Sequence, residues 1–215
     1  DLDLSVIDEL PPGRQPIITA VRGPESREGA FDFLGEQLAH GRQAYVVYPL
    51  VEESDTLEVR AATAMHESFT ERFCDFTVGL LHGRLSRSKK DEIMRQFLAA
   101  EIDLLVTTTV VEVGIDVSNA TTMMIEDAER FGLAQLHQLR GRVGRGAEQS
   151  YCVAFHSSET PSERLEAFAS TSDGFRLAEE DLRIRGQGDI FGKEQHGVTL
   201  LRFADLTQDR DLLED

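Results

Sequence analysis

Short apolar runs rich in β-branched residues alternate along the chain with stretches of helical periodicity, and this alternation restricts the fold more than any other feature. Strands separated by helices of this length predict parallel βαβ units, in which helices cover both faces of the sheet. The predicted class is therefore α/β. The predicted strands are 17–21, 44–48, 77–81, 104–107, 122–125 and 151–155, and the predicted helices between them are 25–39, 56–72 and 86–99.

The alternation stops after residue 155, where 157–161 has the composition of a linker. Residues 162–170 and 173–181 have helical patterns. Residues 183–197 are predicted to form an ordered loop or hairpin, because three glycines within seven residues are too many for a regular element. The sequence thus divides into a main domain at 17–160 and a small C-terminal helical appendage at 161–215.

Charge and cysteine content limit the classes of function. The chain has 22 basic and 39 acidic residues, a net charge of −17, which is unfavourable for nucleic-acid binding unless the positive charge is concentrated in one place. Residues 133–146 hold three arginines and no acid. Cys74 and Cys152 lack metal-ligand spacing, so no metal site is expected, and both are predicted to be core or strand thiols. The sequence shows no signal peptide or membrane span and predicts a cytoplasmic protein.

The arginine-rich segment contains the most specific motif. Gln138, Gly141, Arg142 and Arg145 have the spacing Q-x-x-G-R-x-x-R, which predicts two guanidiniums one turn apart that can straddle one phosphate. Upstream, residues 107–116 read T-T-T-x-x-E-x-G-I-D. These segments resemble the sixth and fifth motifs of superfamily-two helicases and translocases.

A wider resemblance to the RecG family of DNA translocases covers nearly the whole chain. Its segments are VIDELPPGR at 6–14, YPLVEES at 48–54, LLHGRL at 80–85 and FGLAQLHQLRGRVGRG at 131–146. In that family, ATP lies between two RecA-like lobes, and the first carries a G-K-[ST] phosphate loop and an acidic magnesium box. This sequence has neither. The resemblance therefore implies the second RecA-like lobe alone, with residues 1–16 as the connector from the first.

The resemblance assigns roles residue by residue. Arg142 and Arg145 match the arginine fingers that reach the γ-phosphate, and Gln138 matches the residue that holds their loop. The positions that match nucleotide contacts are Gly114, Asp116 and Gly141. The positions that match contacts to the DNA backbone are Thr107, Thr108, His82, Gly83 and Arg84.

Residues 181–197 resemble the translocation motif that RecG shares with the transcription-repair coupling factor Mfd. There it is a helical hairpin and loop that couples lobe closure to movement on duplex DNA. Arg183, Arg185 and Gln195 are the predicted coupling residues.

The family also implies substrates and partners for the parent protein. ATP and Mg²⁺ would be bound mainly by the first lobe. The DNA would be branched and double-stranded, as in stalled forks and Holliday junctions. Further partners would be the first lobe and wedge domain of the same protein, and single-strand-binding protein; no membrane is implied.

Simpler interpretations stay open from the residues alone. Arg142 and Arg145 also suit a solvated surface, Asp116 suits a helix cap, and His82 suits a packed core position. The motifs also allow an Mfd-like translocase. The absent phosphate loop allows the isolated chain to be a non-enzymatic module that binds DNA or protein, whose DNA affinity would depend strongly on salt.

Overall fold

The computed structural model describes residues 15–49, 55–108 and 116–191. Its centre is a six-stranded sheet with the order β1-β6-β5-β2-β4-β3, in which every neighbouring pair is parallel. The predicted parallel α/β sheet is therefore confirmed. The strands are β1 (Ile18–Arg22), β2 (Gln43–Val47), β3 (Val78–Leu81), β4 (Leu104–Thr107), β5 (Ala120–Ile125) and β6 (Tyr151–Phe155).

Two hydrophobic clusters, one on each face, hold the helices to the sheet. Neighbouring residues of β2 alternate between them: Ala44 and Val46 belong to one cluster, Tyr45 and Val47 to the other. Helices α1 and α2 pack on the first cluster and α3 to α6 on the second, so that both faces are covered, as predicted. The helices are α1 (Arg27–Ala39), α2 (Asp55–Arg72), α3 (Arg87–Leu98), α4 (Leu133–Arg140), α5 (Glu163–Ser170) and α6 (Gly174–Phe191).

The central strand β2 is buried along its whole length, which fixes the layers around it. The ring of Tyr45 meets that of Phe97 on α3 edge-on, with 5.0 Å between centroids. At the start of the strand, the buried Gln43 amide donates to the carbonyls of Phe97, at 2.6 Å, and Ile102, at 2.7 Å. These bonds satisfy a buried polar group and attach the end of α3 to the sheet.

Side chains cap the two helices that flank the predicted site residues. Ser86 accepts a hydrogen bond from the backbone nitrogen of Lys89 at 3.4 Å and is the N-cap of α3. At the start of α4, the side-chain oxygen of Gln135 accepts from the backbone nitrogen of Gly132 at 3.0 Å. The turn before α3 holds His82, Gly83 and Arg84. Helix α4 leads into the loop that holds Arg142 and Arg145.

The prediction of a loop from residue 183 onward is wrong as far as residue 191, because α6 continues to Phe191. Leu177, Asp181 and Ile184 recur at helical spacing on its inner side, and this packing outweighs the cost of glycine in a helix, about 1 kcal/mol. A side chain at Gly186 would meet nothing within 4 Å. Residues 192–197 of the predicted hairpin lie outside the described residues.

Helices α5 and α6 share the main hydrophobic core. Leu165 and Phe168 of α5 and Leu177 of α6 are at most 2% exposed and belong to the same cluster as Tyr45. Cys152 is buried in this core as predicted, whereas Cys74 is exposed. No helix within the described residues is both long and apolar enough to span a bilayer.

We expect Phe97→Ala to lower the free energy of unfolding by about 3–5 kcal/mol, because Phe97 is fully buried against Tyr45 and its removal leaves a cavity. Urea denaturation measures the change. Leu98→Ala is the matched control, since Leu98 is adjacent on α3 but 46% exposed, and should cost less than about 1 kcal/mol. Equal losses from the two variants would contradict this account of the core.

Candidate nucleotide and nucleic-acid sites

The predicted arginine motif forms a tight loop between α4 and β6, and two of its glycines lie against neighbouring chain. Gly144 has φ +75°, a left-handed conformation that favours glycine, and a Cβ there would lie 2.8 Å from Cγ1 of Ile17. A Cβ on Gly146 would lie 2.5 Å from the backbone oxygen of Ser118. The loop therefore lies where β1, β5 and β6 begin, at the amino edge of the sheet.

Arg145 is fixed by two contacts within this region. Its Nε donates to the carbonyl oxygen of Gly141 at 3.0 Å, and its guanidinium pairs with the carboxylate of Asp116 at 3.4 Å. The Arg145 side chain is 24% exposed, and that of Asp116 is 60% exposed. The guanidinium of Arg145 is therefore close enough to solvent to contact a phosphate.

The structure brings Arg142, Arg145 and Asp116 close to one another at the amino edge of the sheet. Burial raises the pKa of Tyr45 to about 12, the charges of Arg142 and Arg145 lower it, and that of Asp116 raises it. The charges of all three residues therefore act on the buried hydroxyl of Tyr45 on β2. Arg142 is half-buried, and Gln138 is exposed on α4, one turn before Gly141. Gly114 lies outside the described residues.

The predicted DNA-contact residues lie at the opposite edge, where β3 and β4 end. The backbone nitrogen of Thr108 donates to the carbonyl oxygen of Leu81 at 3.2 Å, which joins the ends of these two strands. Lys90 donates to the carbonyl oxygen of Gly83 at 2.8 Å. Thr107, Thr108 and His82 are buried, whereas Arg84 is exposed. Within the described residues, the buried hydroxyl of Thr108 has no hydrogen-bond partner.

A charged cluster that sequence reasoning missed lies at this carboxyl edge. Glu126 follows β5, is 1% exposed and forms an ion pair with Arg27 in the first turn of α1. Burial raises the pKa of Glu126 to about 7, and the charge of Asp127 adds to this, although Arg27 opposes it. Burial and the charge of Glu126 also raise the pKa of Tyr48. The sequence feature that could have indicated this cluster is the position of Glu126, an acidic residue directly after a strand that is buried on both faces.

Arg140 was also missed, although it is the first arginine of the motif segment. It is 2% exposed, and its Nη1 donates to the carbonyl oxygens of Phe168 at 3.0 Å and Thr171 at 2.9 Å. Its guanidinium also lies 4.6 Å from the centroid of the Phe168 ring. Burial lowers the pKa of Arg140. This contact set joins the end of α4, just before the arginine loop, to the segment that leads into α6.

Two of the predicted coupling residues form ion pairs on α6. Arg183 bonds to Glu163 of α5 at 2.6 Å and to Glu180 of its own helix at 2.8 Å. Arg185 pairs with Asp181 at 2.5 Å. Arg183 therefore links the two C-terminal helices, whereas the pair formed by Arg185 lies within α6. Gln195 lies outside the described residues.

Within residues 15–49, 55–108 and 116–191, no three His, Cys, Asp or Glu side chains are grouped so that they could hold a metal ion.

Comparison with known proteins identifies two matching families and close relatives. Residues 29–147 match the helicase conserved C-terminal domain, and residues 171–215 match domain 3, C-terminal, of the ATP-dependent DNA helicase RecG. The chain is 49% identical to the ATP-dependent DNA helicase RecG of Thermotoga maritima over 217 aligned residues, which cover 100% of this chain and 28% of that protein. It is 48% identical to RecG of Bacillus subtilis, again over 100% of this chain and 32% of that protein.

Solved structures give the same relation. A structure of RecG bound to a three-way DNA junction matches with a TM-score of 0.74 and 42% identity, over 96% of this chain and 27% of that one. The C-terminal domain of Saccharomyces cerevisiae Dbp5, bound to Gle1 and IP6, matches with a TM-score of 0.51 and 16% identity over 80% of this chain and 86% of that one. The second match shows the fold alone, and the fold is RecA-like.

The raised pKa of Glu126 predicts a pH-dependent stability. In the folded chain, the Glu126 carboxyl keeps its proton up to about pH 7. In the unfolded chain, the same carboxyl has its ordinary pKa of 4.5, so unfolding between pH 4.5 and about 7 releases a proton. The free energy of unfolding should therefore fall as pH rises through this window, by at most about 1.4 kcal/mol per unit from this group.

Glu126→Gln removes this titration, so the variant should lose less stability than the wild type between pH 5 and 7 in urea denaturation. Glu101→Gln, at an exposed position, is the control and should follow the wild type. If the free energy of unfolding changed with pH equally in Glu126→Gln and in the wild type, the raised pKa of Glu126 would be refuted.

Proposed function

Because this chain belongs to the helicase C-terminal domain family and corresponds to the C-terminal RecA-like lobe of RecG helicases, we propose that it supplies arginine fingers and part of the DNA track to an ATP-dependent double-stranded DNA translocase. The chain spans 28% and 32% of the length of the two relatives compared above. The complete protein would use this lobe to remodel stalled replication forks and Holliday junctions.

The observation that carries the proposal is the placement of Arg142 and Arg145 beside Asp116. Two half-buried guanidiniums on a segment without acids fit a phosphate-bearing substrate such as ATP. Phosphoryl transfer spreads negative charge over the equatorial oxygens, and a guanidinium positioned beforehand stabilises that charge. The Gly141 carbonyl and Asp116 hold Arg145 in one position before ATP arrives, which lowers the entropic cost of the contact.

The remaining nucleotide contacts follow from the same region. Gly114 and Asp116 would approach the ribose, and Gly141 and Gln138 would shape the finger loop at the nucleotide. Mg²⁺ would neutralise the charge of the phosphates, and its ligands, like most of the ATP contacts, would come from the first lobe. This lobe alone would therefore not hydrolyse ATP.

The DNA track would follow the carboxyl ends of β3 and β4. Thr107, Thr108, His82, Gly83 and Arg84 lie there, and hydroxyls, backbone amides and arginines are common contacts to phosphate oxygens. The hydroxyl of Thr108, which has no hydrogen-bond partner among the described residues, supports this, since a buried donor without a partner is costly unless a ligand satisfies it. With a net charge of −17 on the chain, such contacts would be strongly sensitive to salt.

The C-terminal helices would couple the finger loop to movement on DNA. Arg140 joins the end of α4 to the carbonyls at the end of α5, and Arg183 joins α5 to α6. A displacement of α6 would reach the finger loop through these two arginines. Arg183, Arg185 and Gln195 would be the coupling residues, as the sequence predicts.

Partners of the complete protein follow from the RecG relatives. Branched double-stranded DNA is the proposed substrate, since the RecG structure compared above holds a three-way junction. The first lobe and a wedge domain of the same protein would complete the motor, and single-strand-binding protein would be a further partner. The proposed compartment is the cytoplasm.

Arg145→Ala in the complete protein should lower DNA-stimulated ATP turnover by about 10³-fold or more, because Arg142 alone would leave part of the charge on the transferred phosphoryl group unstabilised. A coupled assay of ATP hydrolysis with forked DNA measures the effect. Arg145→Lys should also fail, since an ammonium lacks the planar fork. The control is Arg95→Ala, which removes an exposed arginine that pairs with Glu92 on its own helix. Turnover at the wild-type rate in Arg145→Ala would refute the proposal.

Arg183→Ala in the complete protein should separate ATP turnover from movement. The pair with Glu163 is lost while the nucleotide site is untouched, so ATP turnover should stay within about twofold and fork unwinding should fall about tenfold. Arg176→Ala is the matched control, because Arg176 pairs with Asp173, which directly precedes α6, rather than with a residue of α5. Equal unwinding by both variants would show that Arg183 does not couple.

A further inference from the structure

A groove on the face formed by α1 and α2 belongs to neither proposed site. Its volume is about 520 Å³, and it runs between the middle turns of α1 and the turn that joins α2 to β3. Phe31, Phe73 and Phe76 supply its aromatic walls, and Gly35 lies among them. A Cβ at Gly35 would be 3.6 Å from Cε1 of Phe73, so the absence of a side chain leaves room beside that ring. Grooves of this size accommodate a few side chains of a ligand.

The rim of this groove is negatively charged. Asp32, Glu36 and Asp75 are exposed along it. The positive charge of Arg72 is offset by ion pairs with Glu28 at 2.9 Å and Asp32 at 3.4 Å.

Helix geometry adds to this charge. Helix α2 ends at Arg72, which lines the groove, and the carboxyl end of a helix favours a cation.

The groove already binds one cation of its own chain. The guanidinium of Arg72 lies 5.0 Å from the centroid of the Phe31 ring. This contact shows that the aromatic wall accepts a guanidinium stacked on its face while carboxylates satisfy the hydrogen-bond donors. Phe73 and Phe76 offer further aromatic surface in the same groove.

We propose that this groove is a docking site for a basic peptide segment of a partner protein, in which arginine or lysine alternates with apolar side chains. The cations would lie against Asp32, Glu36 and Asp75, and the apolar side chains would enter between the phenylalanines. Nucleic acid does not suit this surface, because its phosphates would meet the same carboxylates. The interaction adds a partner of another chemical class to the proposed motor and uses none of its site residues.

The test uses the complete protein and a short fluorescein-labelled peptide that alternates arginine with phenylalanine and leucine. Fluorescence anisotropy at low and at physiological ionic strength should show saturable binding. Gly35→Leu, which fills the groove, should weaken binding about tenfold or more. Gly29→Leu is the matched control on the same helix, since a Cβ there meets nothing within 4 Å, and should bind as the wild type does. Thermal melting verifies that both variants fold.

A second pair of variants separates the groove from the overall negative charge. Glu36→Gln with Asp75→Asn should also weaken binding about tenfold, whereas Asp91→Asn with Glu101→Gln, which removes equal charge at exposed positions on and just after α3, should change it less than twofold, i.e. by about 0.4 kcal/mol or less. Equal weakening by the two pairs would overturn the proposal, as would wild-type affinity in Gly35→Leu. Absence of binding to the complete protein would mean that another part of it covers the groove, and would overturn the proposal as well.

Discussion

Two-sided burial of a parallel sheet governs where each functional group of this chain lies. Because all six strands run in one direction, the chain must return from the carboxyl edge to the amino edge before each new strand. Helix α4 and the arginine loop make this return before β6. The guanidiniums consequently lie at the amino edge, while the ends of β3 and β4 carry Thr108 and His82 at the carboxyl edge. The central β2, buried along its length, separates the two sites.

Two buried charges mark where this architecture depends on polar contacts, and each is stabilised in a different way. Arg140 keeps its charge because the backbone carbonyls of Phe168 and Thr171 accept hydrogen bonds from its guanidinium. The ring of Phe168 also lies over the plane of that group. Glu126 has Arg27 as a partner, and burial still shifts its pKa toward the neutral form. Arg140 joins α4 to the end of α5 near the arginine loop, and Glu126 joins α1 to the end of β5.

The sequence predicted the strands well, because their apolar runs have no competing pattern. The strands at 104–107 and 151–155 have the predicted bounds, and the others differ by one or two residues at an end. The error at α6 arose because glycine content was weighed above the inward spacing of Leu177, Asp181 and Ile184. The motif predicted that Arg142, Arg145 and Asp116 would serve one site, and the fold brings them together. Arg140 and Glu126 were missed because burial, which gives them importance, depends on contacts between segments distant in sequence.

The close approach of Gly146 to Ser118 has a consequence for the timing of events in a motor. With no room for even a methyl group between Gly146 and the Ser118 carbonyl, the finger loop and the segment that carries Asp116 form one packed unit. Neither can advance while the other stays behind. Groups that would meet the ribose and groups that would meet the terminal phosphate therefore arrive in the same step. In the proposed motor, a nucleotide lacking either end would be met by only half of this unit, and the lobe would then distinguish it from a whole nucleotide.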